Sequence, residues 1–388
     1  MANTITPLIQ KIFGKSLPSL RNAASAVRVC RVDFENEVKQ KGNVIDLPIP
    51  VASSTADVLP GPTPVANTDK VITTKQISLD QWKRSDKIAL TAKEMHEIES
   101  GDFTKTQIYE QSIALVEGMN AAVLLGMKNA SYRRSGTAGT NPYATTDADS
   151  IDVRKQLNFN KAPSNDRHLL LGPAAEAAAL GIASIKDASL RGAASTKNTG
   201  ELGTIFGLQH WGDQQIVAHT AGTAAGALTH GTTIGAVGSS SLYLKAATPG
   251  TIKKGDLIAI TTASVVYQYV ATADVASVDT TAAGIAVAVY PPVQATHVSA
   301  DTWTLQASHS ANIGLQRGGY GLAIRPVDTN FLGAGVHEQM TDDQTGLSLV
   351  YSFIPEYMQN SMQVSVLYGH GPLRQEWLIR LMGSSTNI

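Results

Sequence analysis

The chain has 388 residues, 43% of them hydrophobic and 16% charged, with a net charge of −1 and a single cysteine. On length alone it can bury a large core and divide into roughly two or three domains, and its apolar fraction excludes wholesale disorder. The charged share lies below the usual value of about a quarter, which excludes a strongly basic nucleic-acid binder. It suits either a surface largely used in contacts or a plain Ala/Thr-rich domain. The lone Cys30 rules out an intramolecular disulfide and a multi-cysteine zinc site. Apolar runs such as residues 282–290 are too short to span a bilayer. Polar residues interrupt the opening MANTITPLIQKIFGK, so no secretory signal is expected there.

Thr6-Pro7 predicts a helix start, with Leu8, Ile9, Ile12 and Phe13 on one face and Gly14 as its stop. Ser16 and Pro18 start a second short helix that runs through Val27. From Cys30 the period changes to two. Cys30, Val32 and Phe34 alternate with Arg31, Asp33 and Glu35, which predicts a half-buried strand with Cys30 as a small core residue. Residues 1–50 carry seven basic and four acidic side chains, a local net charge of +3.

A long β-hairpin is expected next. One limb is residues 43–51 and the other residues 70–90, where the alternation is broken. Between them SSTADVLPGPTPVANTD holds Pro60, Gly61, Pro62 and Pro64, which do not fit a central strand. The tip is therefore read as an exposed, extended loop, long for a compact domain. Thr91 to Glu94 reads as a capping box, with Gly101 ending that helix. Ile108, Ser112, Leu115, Val116, Met119, Val123 and Met127 then recur at helical spacing, predicting one long amphipathic helix from Phe103. Arg133 and Arg134 beyond its end suit the negative pole of the helix dipole.

An α/β stretch follows a polar loop over residues 135–150. Arg167–Leu171 reads as a buried strand and Gly172-Pro173 opens an Ala-rich helix through Leu180. Residues 200–207 suggest a turn and residues 214–217 another strand. No glutamate then occurs between Glu201 and Glu338, which argues for β structure and coil. Short strands are expected at residues 242–245, 257–260, 265–270, 285–290 and 302–305, with turns at Pro249-Gly250 and Gly255-Asp256. That spacing predicts a small inserted β-barrel at about residues 222–311, with residues 220–241 as the linker leading in. Strand-like sequence resumes at residues 313–326. Leu347, Leu349, Tyr351 and Phe353 alternate, as do Met362, Val364, Val366 and Tyr368, giving two long strands before a last apolar segment at residues 377–382.

Motifs for chemistry are incomplete. Gly14-Lys15-Ser16 ends like a phosphate-binding loop, but Ile9 stands where its first glycine belongs. His96-Glu97 and His337-Glu338 begin like zinc-protease helices, yet Ser100 and Thr341 replace the second histidine. Asp147, Asp149 and Asp152 resemble half a calcium loop without its glycine and final glutamate. Gly314, Gly318, Gly319 and Gly321 have the wrong spacing for a dinucleotide fingerprint and read as tight strand packing. No Gly-x-Ser-x-Gly elbow is present. Catalytic, cofactor-binding and metal residues are therefore expected to be none.

The order of elements is informative: an arm, a hairpin with a long tip, one long helix, an α/β part, an inserted barrel and late long strands. It resembles the tailed-bacteriophage major capsid proteins of the Hong Kong 97-type (Johnson) fold, and more narrowly the coat-protein subgroup with an insertion domain. RNAASAVRVCRVDFENEV followed by KGNVIDLPIP, then NIGLQRGGYGLAIRPV and SVLYGHGPLRQEWLIRLM, carry the resemblance. The family's returning strand usually has bulky aromatic positions where this chain has Gly318, Gly319 and Gly321 around Tyr320.

The resemblance implies an α+β capsid fold with a spine helix, an extended β-hairpin arm, an axial α/β domain and an inserted small β-barrel. Its division would be an N-terminal arm at 1–42, the hairpin at 43–90 and a peripheral domain at 91–150. The axial domain would occupy 151–221 and 312–370 around the barrel at 222–311, and a peripheral segment would close the chain at 371–388. It implies a shell subunit of a virion, assembled in the host bacterial cytoplasm. The expected partners are its own copies in hexamers and pentamers, a scaffolding protein, a portal protein and enclosed double-stranded DNA bound without sequence specificity, with no membrane. Pro60, Gly61, Pro62 and Pro64 at the hairpin tip, with Arg21, Arg28 and Lys41, are the expected intersubunit contacts. Some relatives form a Lys–Asn cross-link; no motif picks out such a pair in this chain. Two other readings stay open: a bacterial nanocompartment shell of the same fold, and a β-rich phage tail or receptor-binding protein.

Overall fold

The computed structural model describes residues 24–32, 44–49, 55, 57, 73–91, 93, 102–187, 199–325, 327, 332–341 and 348–384. Among them strands dominate, and one helix is far longer than the rest. That helix, Asp102–Ala130, has 29 residues, so it extends about 43 Å at 1.5 Å per residue. Leu115, Val116, Met119, Val123, Leu124 and Met127 form its buried stripe. The stripe lies on Met362, Val364, Val366 and Tyr368, which share one face of the strand Gln359–Pro372. A period of 3.6 meets a period of two, and each buries the other's apolar side.

The strand Gln359–Pro372 organises the larger sheet. Ser348–Glu356 pairs with its first half and Tyr320–Arg325 with its second half, both antiparallel along one edge. The opposite edge takes Ile88–Thr91 and Gln81–Arg84. Between these two, Ser85 donates its backbone N–H to Val364 O at 2.8 Å, and its hydroxyl accepts from Val364 N at 2.9 Å. Residues 70–90 are therefore not one hairpin limb. Only Thr73–Ser78 pairs with Val44–Ile49 as an arm. The break in alternation marks where the chain leaves the arm for the body. Val336–Thr341, which pairs with Ser348–Glu356, was not expected as a strand.

A second, mixed sheet runs in the order Arg133–Ser135, Leu378–Met382, His309–Gln316, Arg167–Leu171, Leu208–Gly212, Thr204–Ile205. Ala218–His219 pairs beside it on His309–Gln316. Both faces are covered. Leu169, Leu171, Ile379 and Leu381 pack with Val153 and Leu157 of the helix Ala148–Phe159 and Ala175 and Ala179 of the helix Pro173–Gly181. Leu170, Ile313, Leu315 and Leu378 face the long helix. Two-sided burial explains why these strands read as continuous apolar runs.

Between Ala218–His219 and His309–Gln316 the chain forms a closed six-stranded barrel. Its order is Ala225–His230, Ser241–Thr248, Ile285–Tyr290, Val265–Ala271, Leu257–Thr262, Thr302–Leu305. Leu242, Leu244, Ile258, Ile260, Tyr269, Val287 and Val289 fill it, and Trp303 closes it by donating Nε1–H to Thr229 O at 2.9 Å. The expected linker at residues 220–241 is in part structural, since Ala225–His230 completes the barrel.

Two further expectations differ. The alternation at Cys30 does not make a strand within the described residues. Ser25–Val29 is a short helix with Ala24, Ala26, Val27, Val29 and Cys30 buried. Arg31 then makes a single parallel bridge to Gly321. Residues 214–217 are turn and coil, and the strand lies earlier, at Leu208–Gly212. Thr91 closes the strand Ile88–Thr91 and Lys93 is helical, while residues 94–101 of the expected helix lie outside the described residues. Replacing Met119, fully buried at the centre of the body core, with alanine is expected to cost about 2–5 kcal/mol of stability. Denaturant titration should show this loss in the body transition, with the barrel transition unchanged.

Candidate assembly surfaces

The arm is seated on the body by a small apolar cluster. Ile45 and Leu47 of one strand and Ile77 and Leu79 beside the other pack with Ala323 and Leu373. The seat works because the body presents glycines there. A Cβ on Gly369 would overlap the Ser78 carbonyl oxygen, and one on Gly321 would lie 2.7 Å from Ile77 Cδ1. Gly321 was read in the sequence as a tight-packing residue, and the structure shows what it packs against. Beyond the seat, Thr73, Thr74, Lys75 and Gln76 are all exposed.

The N-terminal helix is tied to the long helix by a buried polar junction. Asn120 Oδ1 accepts from Ala26 N at 2.9 Å, and Asn120 Nδ2 donates to Asp213 Oδ2 at 2.8 Å. The Ser25 hydroxyl donates to the same carboxylate oxygen. The other oxygen, Oδ1, accepts from Gln215 N at 2.7 Å. One carboxylate thus joins three segments far apart in sequence. Cys30 donates its thiol to Ala26 O at 3.1 Å, and burial pushes its pKa far above the usual thiol range. It is an inert core residue.

Of the expected contact residues, only Arg28 lies within the described set. Pro60, Gly61, Pro62, Pro64, Arg21 and Lys41 lie outside it. Arg28 is exposed at the rim of the core, its guanidinium 4.9 Å from the Trp211 ring centroid. Such a stack holds the side chain in place while leaving its charge to solvent or a partner.

The barrel is held to the body by a second buried junction, which sequence reasoning missed. Arg380, fully buried on Leu378–Met382, donates to Gly255 O at 2.8 Å, to Ser131 Oγ at 3.1 Å, to Ser131 O at 3.2 Å and to Lys128 O. Burial lowers its pKa to about 9, while Asp256 opposes that shift. Asp256, also fully buried, accepts from Lys253 N at 2.7 Å and Gly222 N at 3.1 Å, and from His219 Nε2 at 2.6 Å. Gly255 has φ +91° and faces Asn129 of the long helix. The Gly255-Asp256 turn was legible in the sequence. Its partners at positions 128, 219 and 380 stand at no motif spacing.

The motif residues within the described set have local partners. Asp149 accepts from Tyr143 N at 2.7 Å and Asp152 from the Ser135 hydroxyl at 2.6 Å. His337 lies on a strand, with Nδ1 3.0 Å from Ser352 Oγ. Lys15, His96 and Glu97 lie outside the described residues. Among the described residues no group of three or more His, Cys, Asp or Glu is placed to hold a metal, and no helix is long and apolar enough to cross a membrane. One constellation resembles catalytic chemistry: Ser150 Oγ and Tyr143 OH each lie 3.2 Å from His210 Nε2. All three residues are buried. A nearby surface recess lined by Thr137, Asn141 and Thr145 has about 190 Å³, below the roughly 300 Å³ at which ligand pockets begin.

No sequence-family pattern and no curated protein match the chain. Solved structures do. A structure from Mycobacterium phage Che8 covers 94% of this chain and 92% of its own, with a TM-score of 0.51 at 10% identity. The fold is therefore shared over nearly the full length of both. The capsid of cyanophage P-SCSP1u matches over 91% and 88% at 14% identity with a TM-score of 0.47. The capsid of Ralstonia phage GP4 matches over 93% and 88% at 10% identity with a TM-score of 0.44. Bacteriophage capsids thus stand among the structural neighbours.

The arm seat gives a direct test. Gly369→Val places a side chain where Ser78 O now sits, an overpacking cost of about 1–3 kcal/mol. Limited proteolysis should then cut residues 44–79 several-fold faster, with the barrel fragment as resistant as before. Equal cutting rates would show that the arm is held elsewhere.

Proposed function

We propose that the chain is the major capsid protein of a tailed bacteriophage, of the Hong Kong 97-type fold with an inserted domain, and that it assembles into the icosahedral shell enclosing the genome. The observation that carries this reading is the fold shared with the Mycobacterium phage Che8 structure over 94% of this chain and 92% of that one. The molecule's own layout supports it: a hairpin arm packs on the body through a six-residue apolar cluster and leaves Thr73–Gln76 exposed.

The mechanism is binding and not catalysis. Closed symmetric assembly repeats each contact many times, so weak individual interfaces suffice. In this reading residues 1–42 and 43–90 reach neighbouring subunits, and residues 91–150 with 371–388 form the peripheral part. Residues 151–221 and 312–370 cluster about the local five- and six-fold axes. The barrel, near residues 222–311, projects from one face. Hexamers and pentamers of the chain build the shell, with a scaffolding protein and a portal protein as partners. Assembly takes place in the host cytoplasm, and the shell takes up double-stranded DNA without reading its sequence.

Electron microscopy of the purified protein, expressed with and without its neighbouring phage genes, tests this reading. Closed or aberrant shells, tens of nanometres across on the scale of large symmetric assemblies, are expected. A dispersed monomer or small oligomer under every condition would overturn the proposal. Deleting residues 53–68 should leave a folded subunit that makes no stable shells; heat-stable normal shells would exclude a role for the hairpin tip. Neutralising Arg21, Arg28 and Lys41 together should impair assembly with scaffolding or interior packing. Unchanged particle yield and DNA content would remove that charge from the mechanism.

A further inference from the structure

Both chain crossings between body and barrel pass through one buried cluster of ionisable groups. His219 is the last residue of its strand before the chain enters the barrel, and His309 is the first residue of the strand that receives it back. The two are register partners, with ring centroids 5.4 Å apart. Just inside them, Ala221 N donates to Ser308 Oγ at 3.1 Å, so the two crossings are bonded to each other. Both histidines are buried.

Among the described residues, three charged groups face this neck. Lys128 comes from the last turn of the long helix, Arg380 from Leu378–Met382 and Asp256 from the barrel turn. Two cations therefore already face a single carboxylate. Asp256 is fully engaged: it accepts from His219 Nε2, Gly222 N and Lys253 N. His309 donates Nδ1–H to Ala307 O at 2.7 Å, and its Nε2 has no hydrogen-bond partner. A second proton on His309 would create a buried N–H without an acceptor, beside Arg380 and Lys128.

We propose that this neck is an acid-released latch: with His219 and His309 neutral the barrel is clamped to the body, and protonation of the pair frees it to reorient. The titration supports the geometry. Burial, with repulsion from Arg380, His219 and Lys128, lowers the His309 pKa to about 4. Burial, with Arg380 and Lys128, also lowers that of His219, although Asp256 pulls the other way. An opened neck exposes histidines that take up protons near the ordinary pKa of about 6.5. The open form thus binds more protons than the closed one between about pH 6.5 and pH 4, and the clamp weakens as pH falls through that window. This follows for the single chain, whatever it assembles into.

Hydrogen exchange of the full-length protein, read by mass spectrometry at pH 7.5 and pH 5.0 and corrected for intrinsic exchange, tests the latch. Peptides over residues 217–224, 253–257 and 306–311 report the neck, and residues 242–246 and 258–261 the barrel interior. Neck protection should fall by about tenfold or more at pH 5.0, with the interior unchanged. His309→Asn keeps a donor at the Nδ1 position but takes no proton, so most of the fall should disappear. Lys128→Met removes one repelling cation and should also shrink it, which decides the matter if the first variant does not fold. Three results would overturn the latch: equal neck protection at the two pH values, a full-sized fall in both variants, or a parallel loss in the barrel interior.

Discussion

The buried guanidinium of Arg380 is the constraint on which the architecture turns. Taking such a charge out of water costs several kcal/mol unless its hydrogens are met. Here they are met by Ser131 Oγ and by the carbonyls of Lys128, Ser131 and Gly255. Two of these carbonyls lie at the end of the long helix, where the backbone dipole concentrates negative charge. One belongs to the barrel turn. The planar fork of arginine can satisfy acceptors spread across a plane, which the point charge of a lysine cannot do. One side chain therefore fixes where the helix ends, how it meets the mixed sheet and where the barrel begins.

With that end fixed, the remaining body packing follows in layers. The apolar stripe of the long helix settles on Met362–Tyr368, and the short helix Ser25–Val29 wedges beside it, pinned by Asn120 and Asp213. The two appendages are joined more lightly. The arm meets the body in a cluster of six buried residues that includes its own Ile45, Leu47 and Ile77, and the barrel, beside its own core, meets the body through Leu257 and Val270 against Tyr132 and Met382. Elements with few shared buried contacts open at lower free energy than the core they are attached to. In the proposed shell, a body carrying two appendages could repeat one set of contacts in unequal surroundings.

What the sequence showed depended on how local the cause was. The long helix carries its own 3.6 period and was legible in place and kind, a few residues short of its full Asp102–Ala130, and the strands Ile285–Tyr290 and Thr302–Leu305 carry their own composition and were legible to the residue. The barrel strand Ala225–His230 was not. AGALTH has no β-branched run, and it is a strand because the barrel needs a sixth member to close. The helix Ser25–Val29 was legible in part, as the end of the short helix expected to run through Val27, although four of its five residues are buried, which erases amphipathicity. Of the candidate contact residues, Arg28 alone lies within the described residues, and no local spacing encodes its stack on Trp211. The neck was illegible for another reason. Positions 128, 219, 256, 309 and 380 meet only after three separate packing events, and no spacing encodes that.

The low charge of the chain and its buried ionic junctions belong together. Only 16% of residues are charged, yet Arg380, Asp256, Lys128, Asp213 and Arg167 are all buried. They act as internal fasteners rather than as surface solubilisers, and the surface keeps a correspondingly neutral character. The exposed residues of the arm strands are Val44, Asp46, Pro48, Thr73, Thr74, Lys75, Gln76 and Ser78, two of the eight charged. Neutral hydroxyl and amide groups cost less to desolvate than ions, and interface cores are depleted in charge for that reason. Contacts made by such a surface are individually weak and reversible, because no strong ion pair locks a wrong encounter in place. In the proposed shell, such contacts would let a closed assembly correct itself while it grows, its stability coming from the number of repeated contacts.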